Sequence, residues 1–456
     1  MKQYDDVIIG FGKGGKTLAP ALAAAGRRVA LLERSENMYG GTCINVGCIP
    51  SKSLAASARR SAFLGGDFAQ KAARYQAAVE ERERVVSMLR RKNYQKLADN
   101  PNIDVLTGNG RLTGPRQVEA SLANGDTIRI TASRIFINTG SSPRLPSIPG
   151  LAESRYVFTS ETLMSHPALP PRLAIIGGGY IGMEFAAMYR NFGAEVTVVQ
   201  DSAAFLPRED ADVAQAVLQR LTAMGVDVRF EAKVERIQDS KGFAALAISA
   251  PSGPFTLEAE AVLAATGRIP NVAGLGLESA GVALTPHGAI KVDAQLRTTN
   301  PAIYAMGDVT GGLQFTYISL DDYRIVASAA LRDGSRTVDN RGAVPYSVFL
   351  DPPFSRVGLT EKQALEQGYQ IKVAVLPASA VPKAQVLGET QGILKAIVDA
   401  GTGMILGAHL FCAESHEIIN IIKLAMDAQL PYTALRDGIF THPTMAESFN
   451  DLFSSL

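Results

Sequence analysis

The stretch Asp6-Val7-Ile8-Ile9-Gly10-Phe11-Gly12-Lys13-Gly14-Gly15 decides the fold. Residues 6–10 are a short apolar run of buried-strand type, the glycines make a turn, residues 16–25 have a helical pattern, and 29–33 return to strand. That order is a βαβ unit. Its spacing, Gly10-x-Gly12-x-x-Gly15, leaves bare amides at a helix N-terminus, where a pyrophosphate can approach without a side chain in the way. Glu33 ends the second strand, where a carboxylate accepts hydrogen bonds from a ribose. A glycine-rich turn without a ligand is the plain alternative; strand, helix and acid together argue against it.

The same order recurs at 173–176, Gly177-x-Gly179-x-x-Gly182, a helix through 191 and a strand at 195–200. Two such units predict two dinucleotide sites. Gln200 holds the ribose-reading position of the second, and is neither the carboxylate that favours NADH nor an arginine that would hold a 2′-phosphate. Asp201 would repel that phosphate and the nearest arginine is Arg208, so the reading leans to NADH over NADPH.

Around these units, 456 residues exceed one ordinary core and predict several domains. Residues 68–99 are charged and helical in period, while the proline-rich crossings at 143–150 and 167–171 suit domain junctions. The expected division is a first dinucleotide domain over 1–150 that resumes at 271–343, a second inserted over 151–270, and a C-terminal domain over 344–456. A net charge of +1 gives no field to draw nucleic acid or anionic lipid, and no spanning or signal segment is visible, so the expected address is the cytoplasm. Three cysteines exclude a disulfide framework and ask for a chemical explanation.

Gly41-Thr42-Cys43-Ile44-Asn45-Val46-Gly47-Cys48-Ile49-Pro50-Ser51-Lys52 is the most specific signal. On an ideal helix, residues five apart have Cα atoms roughly 8 to 9 Å apart, beyond the ~7 Å limit for a disulfide. If the pair closes, the helix is distorted or only beginning there, and Gly47 permits it. Two buried, inert cysteines are the alternative; the glycines and Lys52 favour an accessible, electropositive setting that lowers a thiol pKa. His442 and Glu447, in His442-Pro443-Thr444-Met445-Ala446-Glu447, suit an imidazole that takes and returns a thiol proton beside a carboxylate that fixes its tautomer. Cys412 and His416 stand four apart, but Leu410 and Phe411 make Cys412 a buried strand end rather than a metal ligand.

These motifs, with Thr139-Gly140, Ala265-Thr266-Gly267-Arg268 and Gly307-Asp308, make the chain resemble the pyridine nucleotide-disulfide oxidoreductases from end to end. The resemblance implies an α/β fold of two Rossmann-like domains, one for FAD and one for NAD(P), plus a C-terminal α+β dimerisation domain. It implies that Cys48 faces the flavin and Cys43 exchanges with substrate. Lys52 and Glu184 would pair beside the isoalloxazine, and Asp308 would hold the ribityl chain. Gly10, Gly12, Gly15, Glu33, Thr42, Gly110, Thr139 and Gly140 would serve FAD, with Gly110 at its adenine end. Gly177, Gly179, Tyr180, Ile181, Gly182, Gln200 and Gly267 would serve the nicotinamide nucleotide, with Tyr180 as its gate. His442 and Glu447 would reach the active site of the other subunit, making an obligate two-fold dimer.

The segment 312–324, with Met38-Tyr39-Gly40-Gly41 and Pro345-Tyr346-Ser347-Val348-Phe349, looks like the branch of the family that confers bacterial resistance to reactive chlorine and whose members reduce copper(II). The reaction expected on that basis carries electrons from NADH through FAD to the Cys43/Cys48 disulfide and on to a metal ion or oxidant, with the two sulfurs as transient copper ligands. The rivals are a dihydrolipoamide dehydrogenase, a mercuric reductase and, outside enzymes, an FAD-binding redox sensor.

Overall fold

The computed structural model describes residues 1–456 and gives an α/β fold built on three principal sheets. In the first, strand Lys2–Ile9 runs parallel to Val29–Glu33 on one side and to Thr127–Ile137 on the other. Ile103–Gly114 extends the sheet beyond Val29–Glu33, and Ile303–Ala305 extends it beyond Thr127–Ile137. The last of these strands lies far along the chain, so the first unit does close after the insertion of the second. Helix Lys13–Ala24 buries Leu18, Ala19, Leu22 and Ala23 against this sheet, whose inner strand is apolar because helices and loops cover both faces.

The second unit is a five-stranded parallel sheet, ordered Val226–Arg229, Glu195–Val199, Arg172–Ile176, Ala261–Ala264 and Val157–Thr159, with helix Tyr180–Phe192 against it. A short antiparallel pair, Ser141–Pro143 with Arg268–Pro270, ties the two units. The C-terminal sheet is antiparallel, Tyr346–Val348, Phe354–Gly358, Ile405–Phe411, Ile393–Asp399 and Ile371–Pro377, and helix Ser415–Asp427 covers it with Ile418, Ile419 and Ile422. Cys412 follows its strand into this core with no exposed surface, as expected, and does not join His416 in any cluster of metal-ligating groups. No helix is long and apolar enough to cross a membrane.

The long helix Phe68–Ala98, capped reciprocally by Asp67 and Gln70, holds the cysteine segment in place. Its Arg90 donates to Asn45 Oδ1 at 2.8 Å, and Asn45 in turn donates to the carbonyls of Tyr39 and Gly41. A buried amide satisfied on every side fixes the turn that carries Cys43.

Candidate active site

A single cleft of about 2140 Å³ runs across the faces of both dinucleotide units and reaches the cysteines. It exceeds the few hundred Å³ of an ordinary small-ligand pocket and has room for two dinucleotides end to end. Of the expected cofactor residues, Gly10, Gly12, Glu33, Thr42, Gly110, Thr139, Gly140 and Asp308 line it from one side, and Gly177, Gly179, Tyr180, Ile181, Gln200 and Gly267 from the other. Cys43, Cys48, Lys52 and Glu184 lie between.

Gly15 and Gly182 do not line the cleft. A Cβ on Gly15 would stand 2.6 Å from the Gly10 carbonyl oxygen, and one on Gly182 2.2 Å from that of Gly177, so these glycines let each helix close on its own strand rather than touch a ligand. His442 and Glu447 are also absent from the cleft of their own chain. They are joined to each other, His442 Nδ1 to Glu447 Oε2 at 2.7 Å, with the imidazole largely exposed.

The cradle fits dinucleotides. The N-caps of both helices, Gly12 and Gly179, carry no side-chain cap; at the second, the first-turn amides have no side-chain partner and are left for an anion, while at the first Ser319 and Asn138 take those of Gly14 and Gly15. A Cβ added at Gly179 or Gly267 would meet no atom within 4 Å, and at Gly140 only Thr42 Oγ1 at 4.0 Å; these glycines face open space rather than packing. Glu33 accepts from the Phe11 amide at 3.0 Å, and burial pushes its carboxyl pKa up. Asp308 accepts from Ser141 Oγ at 2.7 Å. Gln200 spends its amide nitrogen on the carbonyls of Ser202 and Ala204, at 3.3 and 2.6 Å, so it presents no donor toward a ribose phosphate. Arg208 does line the cleft.

The cysteines sit across a helix break. Cys43 belongs to the short helix Thr42–Asn45 and Cys48 begins the helix Cys48–Leu64, with Gly47 at φ −128°, ψ −114° between them. The expectation of a helix only beginning at the pair is met, and a side chain on Gly47 would crowd the Thr42 carbonyl oxygen at 3.0 Å. The two sulfurs are not bonded to each other. The thiol of Cys48 is drawn down to about 6, first by the hydrogen bond from Cys43, then by Thr316 and by the charge of Lys52. Cys43 is pushed up, first by giving that hydrogen bond and then by burial. Lowering of a thiol pKa thus falls on one sulfur only, with Lys52 a secondary cause.

Lys52 Nζ lies 2.8 and 3.0 Å from the two carboxylate oxygens of Glu184, and Glu184 also accepts the Phe349 amide at 2.8 Å. The ammonium stands 4.7 Å from the centre of the Phe349 ring. Four contributors were not read from sequence. Thr316 Oγ1 is 3.4 Å from Cys48 Sγ. Lys16 donates to the Gly40 carbonyl at 3.0 Å, and burial lowers its ammonium to about 8 beside Cys43. Asn138 accepts from the Gly15 amide and donates to the Met306 carbonyl. Tyr346 lies beside Tyr180, hydroxyl to hydroxyl 3.2 Å. Asn138 directly precedes the Thr139-Gly140 pair and Thr316 and Tyr346 fall in the unusual segments, so position gave a hint that side-chain chemistry did not.

Comparison with known proteins identifies the family. Residues 4–322 match the family model of the pyridine nucleotide-disulphide oxidoreductases, and 344–453 match the dimerisation domain of that family. The chain is 50% identical over 454 residues to the probable pyridine nucleotide-disulfide oxidoreductase RclA of Escherichia coli, covering 100% of this chain and 99% of that one. It is 36% identical to a mercuric reductase of Bacillus cereus, over 97% of this chain and 70% of the relative. The solved Cu(II) complex of the HOCl-induced flavoprotein disulfide reductase RclA from Escherichia coli superposes with a TM-score of 0.94 at 49% identity, covering all of both chains. The chain belongs to the pyridine nucleotide-disulfide oxidoreductases and is a flavin-dependent enzyme of that family.

Proposed function

We propose that two copies of this chain form a cytoplasmic enzyme that moves electrons from NADH through FAD to a Cys43/Cys48 disulfide, and from the dithiol to copper(II) or a related metal ion or oxidant, in defence against oxidative stress. The observation that carries the reading is the placement of the thiol pair: Cys43 and Cys48 lie across a helix break and both line the cleft shared by the two glycine turns, with Cys43, Thr316 and Lys52 drawing Cys48 toward its thiolate. When bound, FAD relays two electrons between nicotinamide and sulfur. Glu33, Thr42, Gly110, Thr139, Gly140 and Asp308 would hold it, and the Lys52–Glu184 pair would lie beside its ring, with the Lys52 charge adding to the Cys43 and Thr316 hydrogen bonds that favour the Cys48 thiolate.

The Cys43–Cys48 bond breaks as NADH gives up a hydride: its two electrons leave Cys48 as thiolate and its proton ends on Cys43 as thiol, with no further proton taken up. It reforms when two copper(II) ions each accept one electron and the single Cys43 proton leaves. Soft thiolates favour copper(I), so the pair stabilises the reduced product as it forms. The second subunit would supply His442, held by Glu447, as the base that receives the Cys43 proton. NADH is the preferred donor in this reading because Asp201 lines the cleft and the Gln200 amide is spent within its own loop, although Arg208 is near.

The test is a Cys43→Ser/Cys48→Ser protein. NADH should still reduce its flavin, and turnover with copper(II) should fall at least about 100-fold. Copper(II) reduction at the parental rate would remove the cysteines from the path. Rates with mercury(II), lipoamide and oxidised glutathione would rank the acceptors, and anaerobic titration with NADH against NADPH would fix the donor.

A further inference from the structure

The residue lodged between Tyr180 and the C-terminal domain is a carboxylate with no exposed side-chain surface, Glu209. One of its oxygens accepts from both phenols, Tyr180 and Tyr346. Its other oxygen lies 3.4 Å from Arg356 NH1, and the same nitrogen donates to the Arg208 carbonyl at 2.6 Å. The guanidinium is itself held by Gln363 Oε1 at 2.6 Å and the Gly358 carbonyl at 3.1 Å. Tyr180 begins the helix of the second dinucleotide unit, whereas Tyr346 and Arg356 lie on neighbouring strands of the C-terminal sheet. The next residue, Asp210, accepts the Glu361 amide at 3.1 Å and stands 3.3 Å from the buried Lys395 ammonium. The loop that carries Glu209 is therefore fastened to the C-terminal domain on both sides.

We infer that Glu209, locked by Tyr346 and Arg356, is a positioning residue that latches the Tyr180 ring across the nicotinamide side of the cleft. To swing aside, Tyr180 must withdraw its hydroxyl from a buried carboxylate, and a charge-assisted hydrogen bond in a dry setting resists that more than an exposed one would. The Tyr180 and Tyr346 hydroxyls are both held protonated, by burial and by the neighbouring Glu209 charge, so each remains a donor throughout the physiological range. Because both phenols share one oxygen, they compete. Removing the Tyr346 hydroxyl concentrates Glu209 on Tyr180 and tightens the latch; neutralising Glu209 loosens it. The two changes have opposite signs, which a merely structural role does not produce.

The inference rests on the reading of Tyr180 as the nicotinamide gate. The experiment is anaerobic stopped-flow reduction of the flavin over a range of NADH concentrations, in two backgrounds. Tyr180→Phe alone should lower the apparent Kd for NADH; no change there would sink the gate and the latch with it. With Tyr180 present, Glu209→Gln should lower the apparent Kd by about tenfold, the size expected for losing one charge-assisted hydrogen bond, and Tyr346→Phe should raise it severalfold. In the Tyr180→Phe background both shifts should vanish. Equal shifts in the two backgrounds, or shifts of one sign for Glu209→Gln and Tyr346→Phe, would overturn the latch while leaving the gate standing. Tyr346→Phe keeps the Glu209–Arg356 pair, so it decides the matter even if Glu209→Gln does not fold.

Discussion

The two glycine turns have the same spacing and pack alike at their first and last glycines, Gly177 on the Ala265 carbonyl as Gly10 on that of Asn138, but they differ at the middle one. Around the first, Gly10 and Gly12 press on Asn138, whose carbonyl oxygen would lie 2.3 Å from a Cβ on Gly10 and whose side-chain oxygen 2.4 Å from one on Gly12. The amides of Gly14 and Gly15 are already taken by Ser319 and Asn138. Around the second, a Cβ on Gly179 would meet nothing within 4 Å, and Gln200 folds back on its own loop. The first turn is thus knitted into the protein's own hydrogen bonds, as suits a group that stays. The second is left open at Gly179 and has no side chain on its Ile181 and Gly182 amides, as suits a molecule that comes and goes. Identical motifs can serve residence and exchange, and the difference lies in what stands behind the glycines.

The sharpest way to break this contrast is Gly10→Ala. Gly10 sits at φ +105°, and its new methyl would strike the backbone of Asn138, so strain and overlap together should cost about 4 kcal/mol or more. The expected result is a protein recovered without flavin or not recovered folded, read by thermal melting and by flavin absorbance. Next in size is Asn138→Ala. It leaves the Gly15 amide and the Met306 carbonyl without their buried partner, for a loss of about 2 to 3 kcal/mol in denaturant unfolding. A first turn indifferent to both changes would be no more committed than the second.

Legibility followed the same divide. The βαβ order, the interruption of the first unit by the second and a separate C-terminal block could all be read, because apolar period and glycine position are local properties of the chain, whereas the antiparallel pairing of that block could not. The break at Gly47 could also be read, since a close cysteine pair is incompatible with an unbroken helix. The hydrogen-bond partners could not. Asn138 reaches Ser319 and Met306, residues 168 or more positions away, and Thr316 meets Cys48 across 268. Nothing in residue type marks such long-range pairs. Gly15 and Gly182 show the opposite error: the motif was right, but their part is helix-to-strand packing rather than contact with a ligand.

For the open turn the expectation reverses. Gly179 has φ −77°, which any residue can adopt, so Gly179→Ala should leave the melting temperature within about 2 °C of the parent. The methyl would instead occupy space where a pyrophosphate approaches the helix end, and the apparent Kd for NADH should rise about tenfold, the cost of one displaced anion contact. A drop in melting temperature comparable with that of Gly10→Ala would show the second turn to be packed after all.

The smallest effect separates the thiols from both nucleotide sites. The turn bearing Cys43 rests on the first unit, for a Cβ on Gly41 would lie 2.7 Å from the Gly12 Cα. The state of Cys48 should therefore follow its immediate neighbours and ignore the open turn. Cys48 is depressed to about 6, so its thiolate forms above that pH; the stability that goes with it is complete above the ordinary thiol range and is lost as pH falls through about 6. In the reduced protein, thiolate absorbance should titrate with that midpoint, and Gly179→Ala should not move it. Cys43→Ala removes the largest cause of the depression and should shift the midpoint upward toward the ordinary value of about 8.5, whereas Cys43→Ser, which keeps a donor, should shift it less. If serine and alanine moved it equally, the hydrogen bond between the two sulfurs would not be what holds Cys48 ionised, and Lys52 and Thr316 would have to account for it.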